Sequence, residues 1–209
     1  MNHLDELVAR YPSLSACRHD IEAAFQALSE CYASGGKLMV CGNGGSAADS
    51  DHIVGELMKG YLRPRPVPED MRARLRAADP ALGPALAECL QGALPAVNLM
   101  AGSALLSAFG NDVSPDLAYA QAAYGHGKKG DVLLGISTSG NASNVRSALV
   151  VGRAMGMTTI GLTGRGGGKM AGLCDILVNV PAVRTFEIQE LHLPVYHCLC
   201  AMVEERFFP

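Results

Sequence analysis

The chain has 209 residues, 49% of them apolar, with a formal net charge of −3. That length and apolar content can bury a sizeable core, most naturally as one domain. No basic stripe and no interleaved aromatics are present, so nucleic-acid binding by a charged surface is unsupported, and no apolar run approaches the roughly 18 residues of a membrane span.

The first predicted helix covers about 15 to 33, where Ile21, Phe25 and Leu28 recur at helical spacing and Gly35-Gly36 ends the pattern. Lys37 to Val40 reads as a buried strand, followed by the loop Cys41-Gly42-Asn43-Gly44-Gly45-Ser46 and a helix from about 46 to 61. Pro64, Pro66 and Pro68 break the chain, and the charged, Ala-rich stretch from 70 to 93 predicts two short helices in a surface excursion. Pro95 to Leu99 reads as a second strand. A helix ending near Phe109-Gly110-Asn111-Asp112 and another over about 116 to 124 follow it. Strands at 132 to 136, 158 to 162 and 176 to 180 and a last helix from about 185 to 207 complete the chain, with Thr185 as the expected N-cap and Pro194 as an expected kink. Alternation of this kind predicts an α/β protein: a parallel sheet with helices on both faces and ligands at the carboxyl ends of its strands.

Two loops share one design. Ile136-Ser137-Thr138-Ser139-Gly140-Asn141 stands behind the apolar run Val132-Leu133-Leu134 and opens a helix, as the Gly42 to Ser46 loop does behind the first strand. Backbone N–H groups at a helix start lack internal partners and the helix dipole is positive there, so both loops suit an anion, with serine and threonine hydroxyls adding donors. Each loop alone also fits an ordinary strand-to-helix turn. Neither G-x-x-x-x-G-K-[ST] nor G-x-G-x-x-G occurs, so a phosphorylated metabolite is expected rather than ATP or NAD. The third cluster, Gly164 to Gly168 with Lys169, reads as a flexible loop.

His52 and Glu56, at i and i+4, share one helix face, where they could hold a metal or form an ordinary surface contact. Gln189, Glu190, His192 and His197 stand in the mostly apolar last helix. A histidine there is more often a core residue than a catalyst, yet its ordinary pKa suits acid–base work at neutral pH. Seven cysteines without a C-x-x-C pair fit reduced thiols, and the first residues lack the pattern of a signal peptide, so a cytoplasmic protein is expected.

Gly42-Asn43-Gly44-Gly45-Ser46, His52, Glu56, Gly110-Asn111-Asp112, Ser137-Thr138-Ser139-Gly140-Asn141, Ile188-Gln189-Glu190 and His197 occur in that order. In this set the chain resembles the phosphoheptose isomerases of the SIS (sugar isomerase) family, over about residues 15 to 207. The resemblance implies a single flavodoxin-like SIS domain, a three-layer α/β/α sandwich around a parallel sheet, with an N-terminal helical segment to about 34 and the excursion at about 65 to 93. It also implies a homotetramer with active sites between subunits. The implied reaction converts D-sedoheptulose 7-phosphate to D-glycero-D-manno-heptose 7-phosphate through an enediol(ate), toward bacterial envelope heptoses. Ser137, Thr138 and Ser139 would take the phosphate, and Asn43, Gly44, Gly45, Ser46, Asn111, Asp112 and Gln189 would contact substrate. Glu56 would be the base and His197 the partner acid. Similar enzymes hold zinc through residues matching His52, Glu56, Gln189 and His197. Eight positions separate Gln189 from His197, about 12 Å along an ideal helix and about 80° around it, so joint ligation calls for a kink at Pro194 or a neighbouring subunit.

Two positions depart from that pattern. Ala142 stands where a further phosphate-binding serine is usual, with Ser143 one place later, and Phe186 stands where an aspartate is found. The alternatives are a non-catalytic SIS protein that binds a sugar phosphate or a partner, as in initiator-associated replication factors, and an isomerase of another sugar phosphate. A pure binding module has no use for Glu56 and His197 together, and both are present.

Overall fold

The structure, a computed structural model, describes residues 2–209. Five strands, β1 (Leu38–Gly42), β2 (Ala96–Asn98), β3 (Val132–Ser137), β4 (Thr158–Thr163) and β5 (Ile176–Asn179), form one sheet in the order β2-β1-β3-β4-β5. All four pairings are parallel, with Val40 opposite Leu134 and Ser137 opposite Thr163. This is the doubly wound order whose switch point, where successive connections leave in opposite directions, lies between β1 and β3. The expected three-layer sandwich is therefore present.

Alternation along the strands feeds two cores. Leu38, Val40, Leu134, Ile136 and Ile160 point to one face, against α1 (His3–Arg10), α2 (Arg18–Ala33), α3 (Gly45–Met58) and α9 (Thr185–Phe207). Met39, Cys41 and Leu133 point to the other, against α7 (Ala118–His126) and α8 (Ser143–Ala154). Apolar residues at both parities explain why the strands read as continuous apolar runs rather than alternating ones. Asp131 pins the start of the sheet: fully buried, it accepts from the Lys37 and Lys128 backbone N–H groups and from Lys37 Nζ at 2.5 Å.

Several local expectations change. An added helix, α1, precedes the predicted one and is capped by Asn2, whose side chain accepts from Asp5 N at 2.8 Å. Thr185 is the first helical residue of α9 rather than its cap; Arg184 occupies the cap position with no side-chain bond. Pro194 is accommodated without interrupting the helix, which runs 23 residues through it. The excursion forms the two short helices expected, α4 (Glu69–Ala78) and α5 (Gly83–Cys89). Ion pairs of Arg72 and Arg76 with Glu88 and Glu69 lace them together, and α4 buries no residue. The remaining helix, α6 (Ser103–Asp112), ends at Asn111-Asp112 as predicted.

Candidate functional site

The two hydroxyl- and glycine-rich loops leave the carboxyl ends of β1 and β3 side by side, at the switch point. Between them lies a cleft of about 370 Å³ lined by Asn43, Gly44, Gly45, Ser46, Ile136, Ser137, Thr138, Ser139, Ala142, Thr185 and Gln189. Gly44 turns the first loop at φ 57° and ψ −122°, a conformation open to glycine and strained for residues with a Cβ. The N-terminus of α3 therefore opens on the cleft, with Gly45 and Ser46 in its lining beside the serine loop. Seven of the expected substrate contacts meet here: Asn43, Gly44, Gly45, Ser46, Ser137, Thr138 and Ser139, with Gln189 as an eighth.

The third glycine cluster has a structural task in place of the predicted flexibility. Gly166, Gly167 and Gly168 all take positive φ, which lets their backbone press against the serine loop. Met170 N donates to Gly140 O at 3.0 Å and Lys169 N to Asn141 Oδ1 at 3.1 Å. At Gly140, itself at φ 65°, a Cβ would fall 2.0 Å from Gly167 O. The serine loop is thus held from behind by backbone contacts that side chains would prevent.

Two contributors escaped the sequence reading. Asn144 exchanges two hydrogen bonds with Asn43, at 2.8 and 2.9 Å, and Tyr119 Oη donates to Gly42 O at 2.9 Å and lies 3.1 Å from Asn43 Oδ1. Both fix the first loop. The signal for Asn144 was its place next to the loop in sequence; nothing local marks Tyr119, which reaches Gly42 across 77 positions. Ala142 lines the cleft without a hydroxyl, and Ser143 does not line it, so the missing serine is not replaced. Phe186 is half exposed under the Arg184 guanidinium. Asn111 and Asp112 are exposed at the end of α6, bonded to each other at 2.9 Å, and are not among the cleft's lining residues.

The reactive candidates form a second group further along the same two helices. His52 Nε2 lies 3.3 Å from Glu56 Oε1 and 3.4 Å from His197 Nε2. Tyr196 Oη stands 3.0 Å from His52 Nδ1 and donates to Asp49 Oδ1 at 3.2 Å. The His52 ring is thus held between the Tyr196 hydroxyl at Nδ1 and Glu56 and His197 at Nε2. Burial lowers the His197 pKa below the ordinary imidazole range, and His52 nearby lowers it further against the pull of Glu56. Burial raises the Asp49 carboxyl, partly countered by the Tyr196 hydrogen bond. His192, by contrast, is a core residue: it is fully buried and burial pushes its pKa down to about 4, with the Thr163 backbone only partly offsetting this.

Two imidazoles and a carboxylate are a donor set that zinc accepts, and a tetrahedral ion with bonds of about 2.1 Å spaces its ligand atoms by roughly 3.4 Å. The His52–Glu56 and His52–His197 separations fit that spacing. Among the described residues, however, no three His, Cys, Asp or Glu side chains close into a metal cluster. Gln189 does not join them: it packs on Gly45, where a Cβ would meet its Nε2 at 2.3 Å, while His197 sits two turns on beside His52. These contacts place α3 and α9 side by side and parallel. The cleft lies at their N-terminal ends and the reactive group about 10 to 16 Å along α3 from Gly45, seven residues to His52 and eleven to Glu56 at about 1.5 Å each.

Comparison with known proteins follows the same outline. The SIS domain family matches residues 4–81 and 76–164. The chain is 38% identical to a phosphoheptose isomerase of Rhodospirillum rubrum over 192 residues, covering 92% of this chain and 88% of that protein. It is 33% identical to one of Akkermansia muciniphila over 207 residues, covering 99% and 96%. Among solved structures it is similar to the phosphoheptose isomerase GmhA of Neisseria gonorrhoeae, with 32% identity, a TM-score of 0.73 and coverage of 96% and 95%.

Proposed function

Because this chain belongs to the SIS domain family, and within it to the phosphoheptose isomerases, we propose that it interconverts D-sedoheptulose 7-phosphate and D-glycero-D-manno-heptose 7-phosphate. The observation that carries this reading is the coexistence of a phosphate cleft at the switch point with a carboxylate and two imidazoles on the same helix pair. A phosphate-binding module needs only the first.

The C7 phosphate is held by Ser137, Thr138 and Ser139 and by the N-terminus of α3, which complements its charge. Glu56, with a side chain only 15% exposed, removes the proton from C1 next to the C2 carbonyl, and the electron pair moves onto O2 as the enediolate forms. Returning that proton to C2 and moving the O1 hydroxyl proton to O2 gives the aldose, with no net gain or loss of atoms. His197, held neutral at physiological pH by its lowered pKa, shuttles the proton between the two oxygens. His52 fixes the ring of His197 and the carboxylate of Glu56 against each other. A divalent metal held by His52, Glu56 and His197 would supply positive charge beside the developing oxyanion.

The separation of cleft and reactive group along α3 supports a homo-oligomer in which neighbouring protomers complete each other's sites, as do the exposed Met58, Leu62 and Leu193 near the reactive end. Homes for Asn111 and Asp112 in the substrate contacts belong to the same reading. No helix among the described residues is long and apolar enough to cross a membrane. The test is an NMR time course with sedoheptulose 7-phosphate, in zinc and in chelator. Appearance of the aldose anomeric proton supports the isomerase; bound but unconverted sugar phosphate in both conditions refutes it in favour of a sensor.

A further inference from the structure

Among the largest fully buried side chains of the described residues is a charged one, Arg65, with 1% exposure, and its partner Glu204 is equally buried. Arg65 Nε donates to Glu204 Oε1 at 2.7 Å. Its other two nitrogens grip the end of α3: Nη1 donates to Leu57 O at 2.7 Å and Nη2 to Glu56 O at 3.1 Å. Glu204 in turn accepts from the Tyr61 and Leu62 backbone N–H groups at 2.8 and 2.7 Å, and the Phe208 ring covers the guanidinium at 4.8 Å. Burial alone would raise the Glu204 carboxyl, but these two N–H donors and Arg65 outweigh it and hold it below the ordinary range.

A buried ion pair is a poor means of adding stability, because desolvation offsets most of its attraction. Its directional bonds are what an apolar pair lacks. They run between the two helices that carry Glu56 and His197: Arg65 bonds two of the last carbonyls of α3, Leu57 O accepting also from Leu94 N at 2.9 Å, and Glu204 is two turns beyond His197 on α9. The parallel contact of α3 with α9 is pinned at one end by Gln189 on Gly45 and at the other by this pair, with His52 and His197 between. Both ends of the excursion are tied in at the same place, through Gly92 N to Arg65 O and Gly60 N to Gln91 Oε1, each at 2.6 Å.

We propose that Arg65 and Glu204 are a positioning pair that sets the last turn of α3 against α9, so that Glu56 and His197 face the same reacting atoms. The inference rests on the isomerase reading for its kinetic consequence but not for its geometry. Glu204→Gln, Arg65→Lys, the apolar double variant Arg65→Met/Glu204→Met and the neighbouring exposed-pair control Glu205→Gln separate the possibilities. Each is checked for folding by circular dichroism, then assayed for kcat and KM. Nuclear Overhauser contacts between the His52 and His197 rings, whose centroids are 4.9 Å apart, are recorded alongside.

In Glu204→Gln and Arg65→Lys, kcat is expected to fall at least about tenfold with KM within about threefold, since misplacement by 1 Å can cost far more than that in rate while the phosphate cleft is untouched. The His52–His197 contact weakens in parallel, and Glu205→Gln, which loses only the outer pairs to Arg63 and His3, keeps both. If the single variants do not fold, the double variant decides, because matched apolar replacement of a buried pair commonly preserves the fold. A folded double variant with wild-type kcat and an intact ring contact overturns the proposal, as does an equal loss in Glu205→Gln. If the wild-type protein turns over no heptulose phosphate, the isomerase reading fails, and the ring contact alone still judges the pair.

Discussion

Replacing Gly140 by alanine tests whether the serine loop is held by backbone packing, and Gly166→Ala supplies the internal control. Both glycines have positive φ, 65° and 87°, so each alanine is expected to cost about 1–2 kcal/mol for the left-handed conformation alone. They differ in space: a Cβ at Gly166 meets nothing within 4 Å, whereas at Gly140 it meets Gly167 O at 2.0 Å and Gly168 N at 3.0 Å. Those neighbours are backbone and cannot rotate away, so the serine loop and the glycine loop must part by about 1 Å, adding about 1–3 kcal/mol of overpacking strain. The expected loss is therefore about 2–5 kcal/mol for Gly140→Ala against about 1–2 for Gly166→Ala, read from urea midpoints at a common slope. Because the shift moves Ser137 to Ser139, affinity for inorganic phosphate by titration calorimetry is expected to fall roughly tenfold in Gly140→Ala and little in Gly166→Ala. Equal stabilities for the two variants would refute the argument.

Glu56→Gln keeps the shape of the side chain and is expected to leave phosphate binding intact while lowering kcat at least about a hundredfold; near-normal turnover would remove Glu56 as the base. The double change Ser137→Ala/Ser139→Ala is expected to raise KM roughly tenfold or more with a smaller effect on kcat, and steady-state kinetics showing an unchanged KM would dismiss the phosphate assignment. His192 contributes a pH dependence of stability. Its folded pKa of about 4 lies below the ordinary 6.5, so the unfolded chain takes up the proton first; stability is fully present above pH 6.5 and falls as pH drops toward 4. The loss is roughly 3 kcal/mol over that window, and His192→Leu is expected to flatten it in denaturation curves taken from pH 7 to 4. A variant with the same slope as the wild type would show that other groups carry the acid sensitivity.

Local sequence carried much of the site. The strand-loop-helix grammar of 38 to 46 and 132 to 143 depends on neighbours along the chain: apolar β-branched and leucine runs, glycines for the turn, hydroxyls at a helix start. His52 and Glu56 share a face because of the helix period alone. For the same reason the α/β class and nearly every element could be read in advance, and the residues of the ordered motif set pointed to the family.

What sequence could not provide is whatever depends on residues far apart in the chain meeting in space. The third glycine cluster looked flexible because its partner, the backbone of Gly140, is invisible to local composition. Tyr119 reaches Gly42, Tyr196 reaches Asp49 and His52, and Arg65 reaches Glu204, each across 77 positions or more. Spacing left Gln189 and His197 either converging or apart; the unbroken helix and its parallel partner α3 put them two turns apart within one chain, with Gln189 at the cleft and His197 beside His52. Period and propensity act over a turn or two and are written in the chain, whereas the register of α3 against α9 is set by packing and by one buried ion pair, which exist only once the chain has folded.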